Sequence, residues 1–436
     1  MSKISRRHFL GFGAGAAGLA ACATPSGSNT QLTDSRAPYN GAVSFDHGVA
    51  SGDPLSDRVI VWSRVTPADE DTQSPIPVTV RICTDPSMSI LAAEAQLDTS
   101  AARDFTLKAD MEGLKPDTEY FYQFTAHTTA GDVTSPVART RTAAASGKPP
   151  VKFAVVSCSN FPFGYFNVYD AISQRGDLDA VIHLGDYIYE YGVDGYGGQT
   201  GQEIGRNHEP PMEIVTLGDY RMRHAQYKAD PMLQAAHAVA PWICTWDDHE
   251  SANNSYRTGA ENHQPETEGN WSDRKQAAIQ AYLEWMPVRD PQAGRTSGGI
   301  YRAFDFGETA SVFCLESRLT GRSDEIAWGA ELAGTAPDAI PAKAREVMAR
   351  VGDDSRTMLG RVQEDWLSQG LQSSVKKGKA WQVLANQVIM AKVSPPNLME
   401  TLTDEQKAAQ SGYVAQMIPF SQLGLPFNLD AWDGFP

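Results

Sequence analysis

Three short stretches of this sequence put cation-binding side chains directly after an apolar run. Residues 152–157 lead into Cys158-Ser159-Asn160, residues 179–184 into Gly185-Asp186-Tyr187-Ile188-Tyr189-Glu190, and residues 240–245 into Trp246-Asp247-Asp248-His249-Glu250. An aspartate just after a strand can bridge two cations through its two oxygens, and a turn can bring Tyr189, three residues on, to the same ion. Thiolate and phenolate ligands such as Cys158 and Tyr189 favour a strong Lewis acid, ferric iron above all. The hard oxygens of Asp247 and Asp248 suit calcium, magnesium or manganese. His249 stands beside them, able to bind a phosphate or to protonate a leaving oxygen. Two cations held in this way would clamp phosphoryl oxygens and generate a hydroxide nucleophile. Gly-Asp after a strand is common, so the specific signal is the succession of three such ends.

These groups need elements that bring the three ends together. Each apolar run reads as a buried strand, residues 165–173 read as a crossover helix, and residues 221–238 have helical spacing. The pattern is that of a largely parallel sheet with covered faces, whose sites form at the carboxyl ends of its strands. Out of this context Cys158 would be a buried structural thiol and Tyr189 core packing. Tyr187 and Glu190 read as structural, Cys244 and Cys314 as core, and His183 as a satisfied core histidine facing away from the site. Arg318 reads equally as a phosphate ligand and as a surface ion-pair partner.

Upstream, residues 45–141 contain short β-rich runs separated by turns. Val59-Ile60-Val61-Trp62 suits a buried sandwich strand, and residues 77–83 alternate Val78, Val80 and Ile82 with Thr79 and Arg81. Leu114-Lys115-Pro116-Asp117-Thr118-Glu119-Tyr120 resembles the tyrosine corner of fibronectin type III-like sandwiches. His47 and Asp53 read as a hydrogen-bonded turn packing on the next domain, and residues 143–150 as the linker to it.

The 436 residues suffice for two or three domains. Net charge is −16; residues 1–21 carry Lys3, Arg6 and Arg7 and no acid, so the remainder carries −16 − 3 = −19. That acidity argues against a nucleic-acid-binding surface. The five cysteines form no CxxC pair and no dense framework, leaving room for one or two isolated bridges. Ser5-Arg6-Arg7-His8-Phe9-Leu10 resembles the twin-arginine export motif, and residues 11–21 are too short a run to span a bilayer. Leu19-Ala20-Ala21-Cys22 resembles a lipobox with Cys22 as the lipidated residue; the alternative is a cleaved signal with a chance cysteine. The expectation is export by the twin-arginine (Tat) machinery to the periplasm or cell surface, with a lipid anchor to the membrane. Residues 1–22 are then the signal and residues 23–40 a flexible linker.

Taken together, Ser157-Cys158-Ser159-Asn160, the stretch from His183 to Glu190, and Trp246-Asp247-Asp248-His249-Glu250 resemble the alkaline phosphatase D (PhoD-like) family of metallophosphoesterases. Tyr282-Leu283-Glu284-Trp285-Met286-Pro287 and residues 47–54, 221–227 and 381–390 resemble it as well, so the likeness covers nearly all of the chain after about residue 42. The resemblance implies an all-β fibronectin III-like sandwich over residues 41–143. It then implies an α/β calcineurin-like catalytic domain, a β-sandwich core flanked by helices, over residues 150–436. It implies hydrolysis of phosphate mono- or diesters with Fe3+ and Ca2+. Cys158, Asp186 and Tyr189 would hold iron, Asp186 would also reach calcium, Asp248 would bind metal, and His249 would be catalytic. Asp247, Asn253 and Asn254 are lesser metal candidates. Relatives of this kind continue into a strand carrying Gly-Asp-x-His, whereas the last histidine here is His263. The chain is therefore expected to be C-terminally truncated, with an incomplete site and impaired turnover. The alternative is a non-catalytic lipoprotein with a vestigial catalytic domain.

Overall fold

The computed structural model describes residues 36–291, 299–336, 338–408, 418 and 420–436. The signal, Cys22 and most of the expected linker lie outside the described residues.

Strands Phe153–Val156, Ala180–His183 and Trp242–Cys244 pair in parallel, with Val156 opposite His183 and His183 opposite Cys244. This register ends all three at one level, so their following loops converge. Helix Asn167–Ser173 makes the first crossover. The helical stretch expected over residues 221–238 is instead two helices, Leu217–Lys228 and Pro231–His237. Asp230 breaks it by accepting hydrogen bonds from the Met232 and Leu233 amides, and Pro231 takes a first-turn position, where no N–H is needed.

The same sheet continues past Trp242–Cys244 into strands Val49–Gly52, Arg58–Arg64 and Thr106–Glu112. Segments expected in a separate sandwich thus extend the central sheet to six strands. The junction is a pairing of Gly52 with Trp242. A Cβ on Gly52 would lie 2.0 Å from the Pro287 carbonyl oxygen and 2.7 Å from that of Trp242, so the contact requires glycine.

A second sheet of five strands, including Ile76–Cys83 and Glu119–Thr128, covers the amino-terminal end of the central sheet. Val59, Val61, Val78, Val80, Leu107 and Phe124 fill the space between them. The tyrosine corner is present: the Lys115 amide donates to the Tyr120 hydroxyl at 2.8 Å. A third sheet, Arg302–Phe306, Ala310–Cys314 and Trp381–Ala385, shares a core with the central strands through Ile182, Ile243, Phe304 and Val312.

Asp53 is buried and accepts two hydrogen bonds from Arg302, at 2.6 and 2.9 Å, and one from the Arg289 amide at 2.7 Å. The hydrogen-bonded turn expected at Asp53 thus packs against Arg289 and Arg302. Residues 143–150 are less free than a linker, because Ala143 and Ala144 are buried and hydrogen-bonded to Leu55 and Gly307. Among the described residues, Cys83, Cys158, Cys244 and Cys314 are all free thiols.

Candidate metal centre

The loops after the three strands are fastened to one another before any side chain is considered. Cys158 and Asp186 both adopt left-handed backbone conformations, with φ of 59° and 56°, a strained state for residues with a Cβ. The Cys158 amide donates to the Gly185 carbonyl at 3.1 Å and the Ser159 amide to the Asp186 carbonyl at 2.8 Å. Gly185 has φ of 107°, and a Cβ there would fall 2.3 Å from the Asp247 nitrogen. Glycine is what lets the third loop close on the second. Glu250, buried, then accepts from the amides of Asp186 at 3.0 Å, Tyr187 at 2.7 Å and Asp247 at 2.8 Å.

His183 supports the first two loops from below. Its Nδ1 accepts from the Gly185 amide at 3.2 Å, so its proton sits on Nε2, facing Ser159 Oγ at 3.3 Å and the Tyr169 hydroxyl at 3.1 Å. Burial pushes its pKa down to about 3, which keeps it neutral.

On this frame the expected iron ligands meet at one atom. Cys158 Sγ lies 3.5 Å from Asp186 Oδ2, and the Tyr189 hydroxyl lies 3.2 Å from the same oxygen. Ligand atoms of Asp186, Asp248 and His249 lie within 4.8 Å of one another. Burial, then the charges of Asp248 and Asp247, drive the Asp186 carboxyl well above its ordinary range. Burial and the Asp186 charge raise Cys158 to about 11 and move Tyr189 upward too. Burial is the largest cause of each shift, with the neighbouring carboxylates adding to it. The donor set fits: thiol, phenol and carboxylate for ferric iron, carboxylates for calcium.

His249 is held from the other side. Its Nδ1 pairs with Glu190 Oε2 at 2.7 Å, and its ring stacks on Tyr189 at 4.2 Å between centroids. Glu190 also accepts from the Asn253 amide at 2.7 Å and from the Asn262 side chain at 3.0 Å. Burial opposes protonation of His249, but Asp248, Glu190 and Asp186 outweigh it and hold its pKa well above normal.

Arg318 is no surface residue. It is 2% exposed, donates to Asp247 Oδ1 at 2.6 Å and to both oxygens of Asp430 at 2.7 and 2.9 Å, and lies 3.4 Å from Asp248. Asp247 is thus engaged by an arginine. The Asn253 side chain donates from Nδ2 to Glu261 at 2.8 Å and that of Asn254 to Glu325 at 2.9 Å. The Asn254 backbone amide does donate to Asp248 Oδ2, at 2.7 Å.

The family model described as PhoD-like phosphatase matches residues 153–436, and that described as PhoD-like phosphatase, N-terminal domain, matches residues 30–144. The chain belongs to the PhoD-like phosphatase family. It is 34% identical over 440 residues to alkaline phosphatase D of Bacillus subtilis (strain 168), a match covering 99% of this chain and 67% of that protein. A solved structure of PhoD superposes with a TM-score of 0.71 at 33% identity, covering 92% of this chain and 68% of that one. The chain is accordingly a phosphoric ester hydrolase of the alkaline phosphatase D type.

Sequence reasoning missed three members of this PhoD-like site. Glu190 and Glu250 close their motifs and carried a signal as acids beside cation ligands. Asp430 lies 112 residues from Arg318, with nothing local to connect them.

Proposed function

We propose that this chain is an exported alkaline phosphatase and phosphodiesterase that uses Fe3+ and Ca2+. The observation that carries this reading is the approach of a thiol and a phenol to one oxygen of Asp186. In this reading Cys158, Asp186 and Tyr189 hold iron, and Asp186 and Asp248 hold calcium. When bound, the cations would polarise the phosphoryl group and supply a hydroxide nucleophile at alkaline pH. Asp186 offers Oδ2 to the Cys158 and Tyr189 side, while its Oδ1 lies 3.4 Å from the His249 amide. Glu190 orients His249 through Nδ1, which leaves Nε2 to donate a proton to the leaving oxygen. Arg318 fixes Asp247 and so steadies the loop that carries Asp248 and His249. The natural ester enters as a mono- or diester.

The test is hydrolysis of 4-nitrophenyl phosphate and bis(4-nitrophenyl) phosphate by the purified protein, before and after chelation. The reading expects turnover that chelation removes and that added iron and calcium restore. Protein that binds iron yet hydrolyses neither ester would contradict it and favour the non-catalytic lipoprotein. Export by the twin-arginine route, with Cys22 lipidated, rests on residues 5–10 and 19–22. Replacing Arg6 and Arg7 with lysine should retain the protein in the cytoplasm, and continued export of that variant would refute the route.

A further inference from the structure

A row of aromatic rings leads from the protein surface to His249. Phe163 and Tyr196 lie 4.8 Å apart between centroids, Tyr196 and Tyr191 6.1 Å, and Tyr191 and His249 5.5 Å. The outer two are open to solvent, Phe163 at 47% and Tyr196 at 60%. Water-exposed rings of this size forgo the stabilisation that burial would give them.

The chain does not leave Tyr196 free to fold inward. It sits in Tyr191-Gly192-Val193-Asp194-Gly195-Tyr196-Gly197-Gly198, whose glycines are close-packed. A Cβ on Gly195 would fall 2.7 Å from Tyr191 Cβ, one on Gly197 3.0 Å from the Phe163 ring, and one on Gly198 1.9 Å from the Val193 carbonyl oxygen. Gly197 also has φ of 90°, which only glycine adopts readily. The loop is built to press against Phe163 and present Tyr196. Phe163 in turn lines a cleft of about 410 Å³ whose wall includes Cys158. Phe163 thus shares a cleft wall with Cys158, Tyr196 packs edge-to-face against it, and Tyr191 links the pair to His249, so the outer rings border the candidate metal centre.

We infer that Phe163 and Tyr196 form a subsite for the alcohol portion of the ester, selecting a planar aromatic group by stacking. This rests on the phosphoesterase reading above. The substrate class it names is phosphate esters of aromatic alcohols, favoured over those of small aliphatic polyols.

The test compares wild type with F163A/Y196A, whose folding is checked by thermal midpoint since both side chains are exposed. The ratio of kcat/KM for 4-nitrophenyl phosphate to that for glycerol phosphate should fall about tenfold in the double variant, as expected for loss of ring stacking. A ratio that stays constant overturns the subsite while leaving the phosphatase reading intact. Should wild type hydrolyse neither monoester, bis(4-nitrophenyl) phosphate decides whether the phosphoesterase reading stands, and the subsite is judged by ligand-observed saturation-transfer NMR with phenylphosphonate and propylphosphonate. Saturation of the phenyl protons by wild type, lost in F163A/Y196A, sustains it. Absence of saturation in wild type, or its persistence in the variant, overturns it.

Discussion

The two sides of the candidate metal centre are equally rich in acids but balance their charge differently. On the side of Asp247 and Asp248, a buried arginine is present: Arg318 pairs with Asp247 and Asp430 and lies close to Asp248. Burial alone would raise Asp248, yet Arg318, His249 and the Asn254 amide bring it below the usual carboxylate range. On the side of Cys158, Asp186 and Tyr189, Arg223 donates to the Tyr189 carbonyl, but among the described residues no arginine or lysine pairs with the thiol, carboxylate or phenol themselves, and all three groups are pushed toward their protonated forms. One side carries a counter-charge of its own in Arg318. The other has donors with no side-chain cation paired to them among the described residues. Cys158 reaches solvent in part while its thiol lies in the pocket beside Asp186, whereas Arg318 is enclosed, which matches this division between access and support.

If that division holds, substitutions on the two sides should fail in different ways. Replacing Arg318 with Met leaves Asp247 without its partner and Asp430 with Arg322 alone, and breaking such an enclosed pair costs about 3–5 kcal/mol. Denaturant unfolding should register that loss, while Cys158→Ala, at a residue that reaches solvent, should change stability by less than about 1 kcal/mol. Equal destabilisation by both would erase the distinction.

Asp186→Asn is expected to lower iron affinity by at least about 100-fold, more than removal of an outer-sphere partner does. Metal titration followed by elemental analysis would measure this, and retention of iron at near wild-type affinity would place the ligands elsewhere.

An effect spread over several pH units should come from Lys228, which belongs to neither side. It is fully buried, with its Nζ 3.0 Å from His237 Nε2 and facing the rings of Trp62 and Tyr187. Burial lowers its pKa from the ordinary 10.5 to about 7. The unfolded chain then binds the extra proton between these values, so stability should rise with pH from about 7 to 10, by no more than about 1.4 kcal/mol per pH unit. Lys228→Met should flatten that rise. An unchanged slope in unfolding free energy against pH would show that Lys228 does not carry it.

What the sequence disclosed and what it hid follow the same physical lines. The three ligand loops were legible because an apolar run that stops at a polar residue marks the end of a buried strand. Tyr120 was legible because its corner is local in sequence. The union of Val49–Gly52 with Trp242–Cys244 was not, since it depends on one pairing between distant segments and on the missing side chain of Gly52. Asp230-Pro231 carries a clear signal for the break between two helices, although hydrophobic spacing alone runs straight through it. Glu190 reads as structural and Glu250 only as the end of its motif, because their partners lie in other loops: Glu250 is satisfied by backbone amides and Glu190 by His249, Asn262 and the Asn253 amide. Arg318 could be read either way because Asp430, which encloses it, lies far along the chain.

The central claim is that Cys158, Asp186 and Tyr189 together hold one iron. The most direct measurement is the visible absorption spectrum of the iron-loaded protein beside those of Tyr189→Phe and Cys158→Ser. A charge-transfer band that is lost or shifted in both variants at matched iron content is the predicted result. A spectrum with no such band, or one that neither substitution alters, would contradict it.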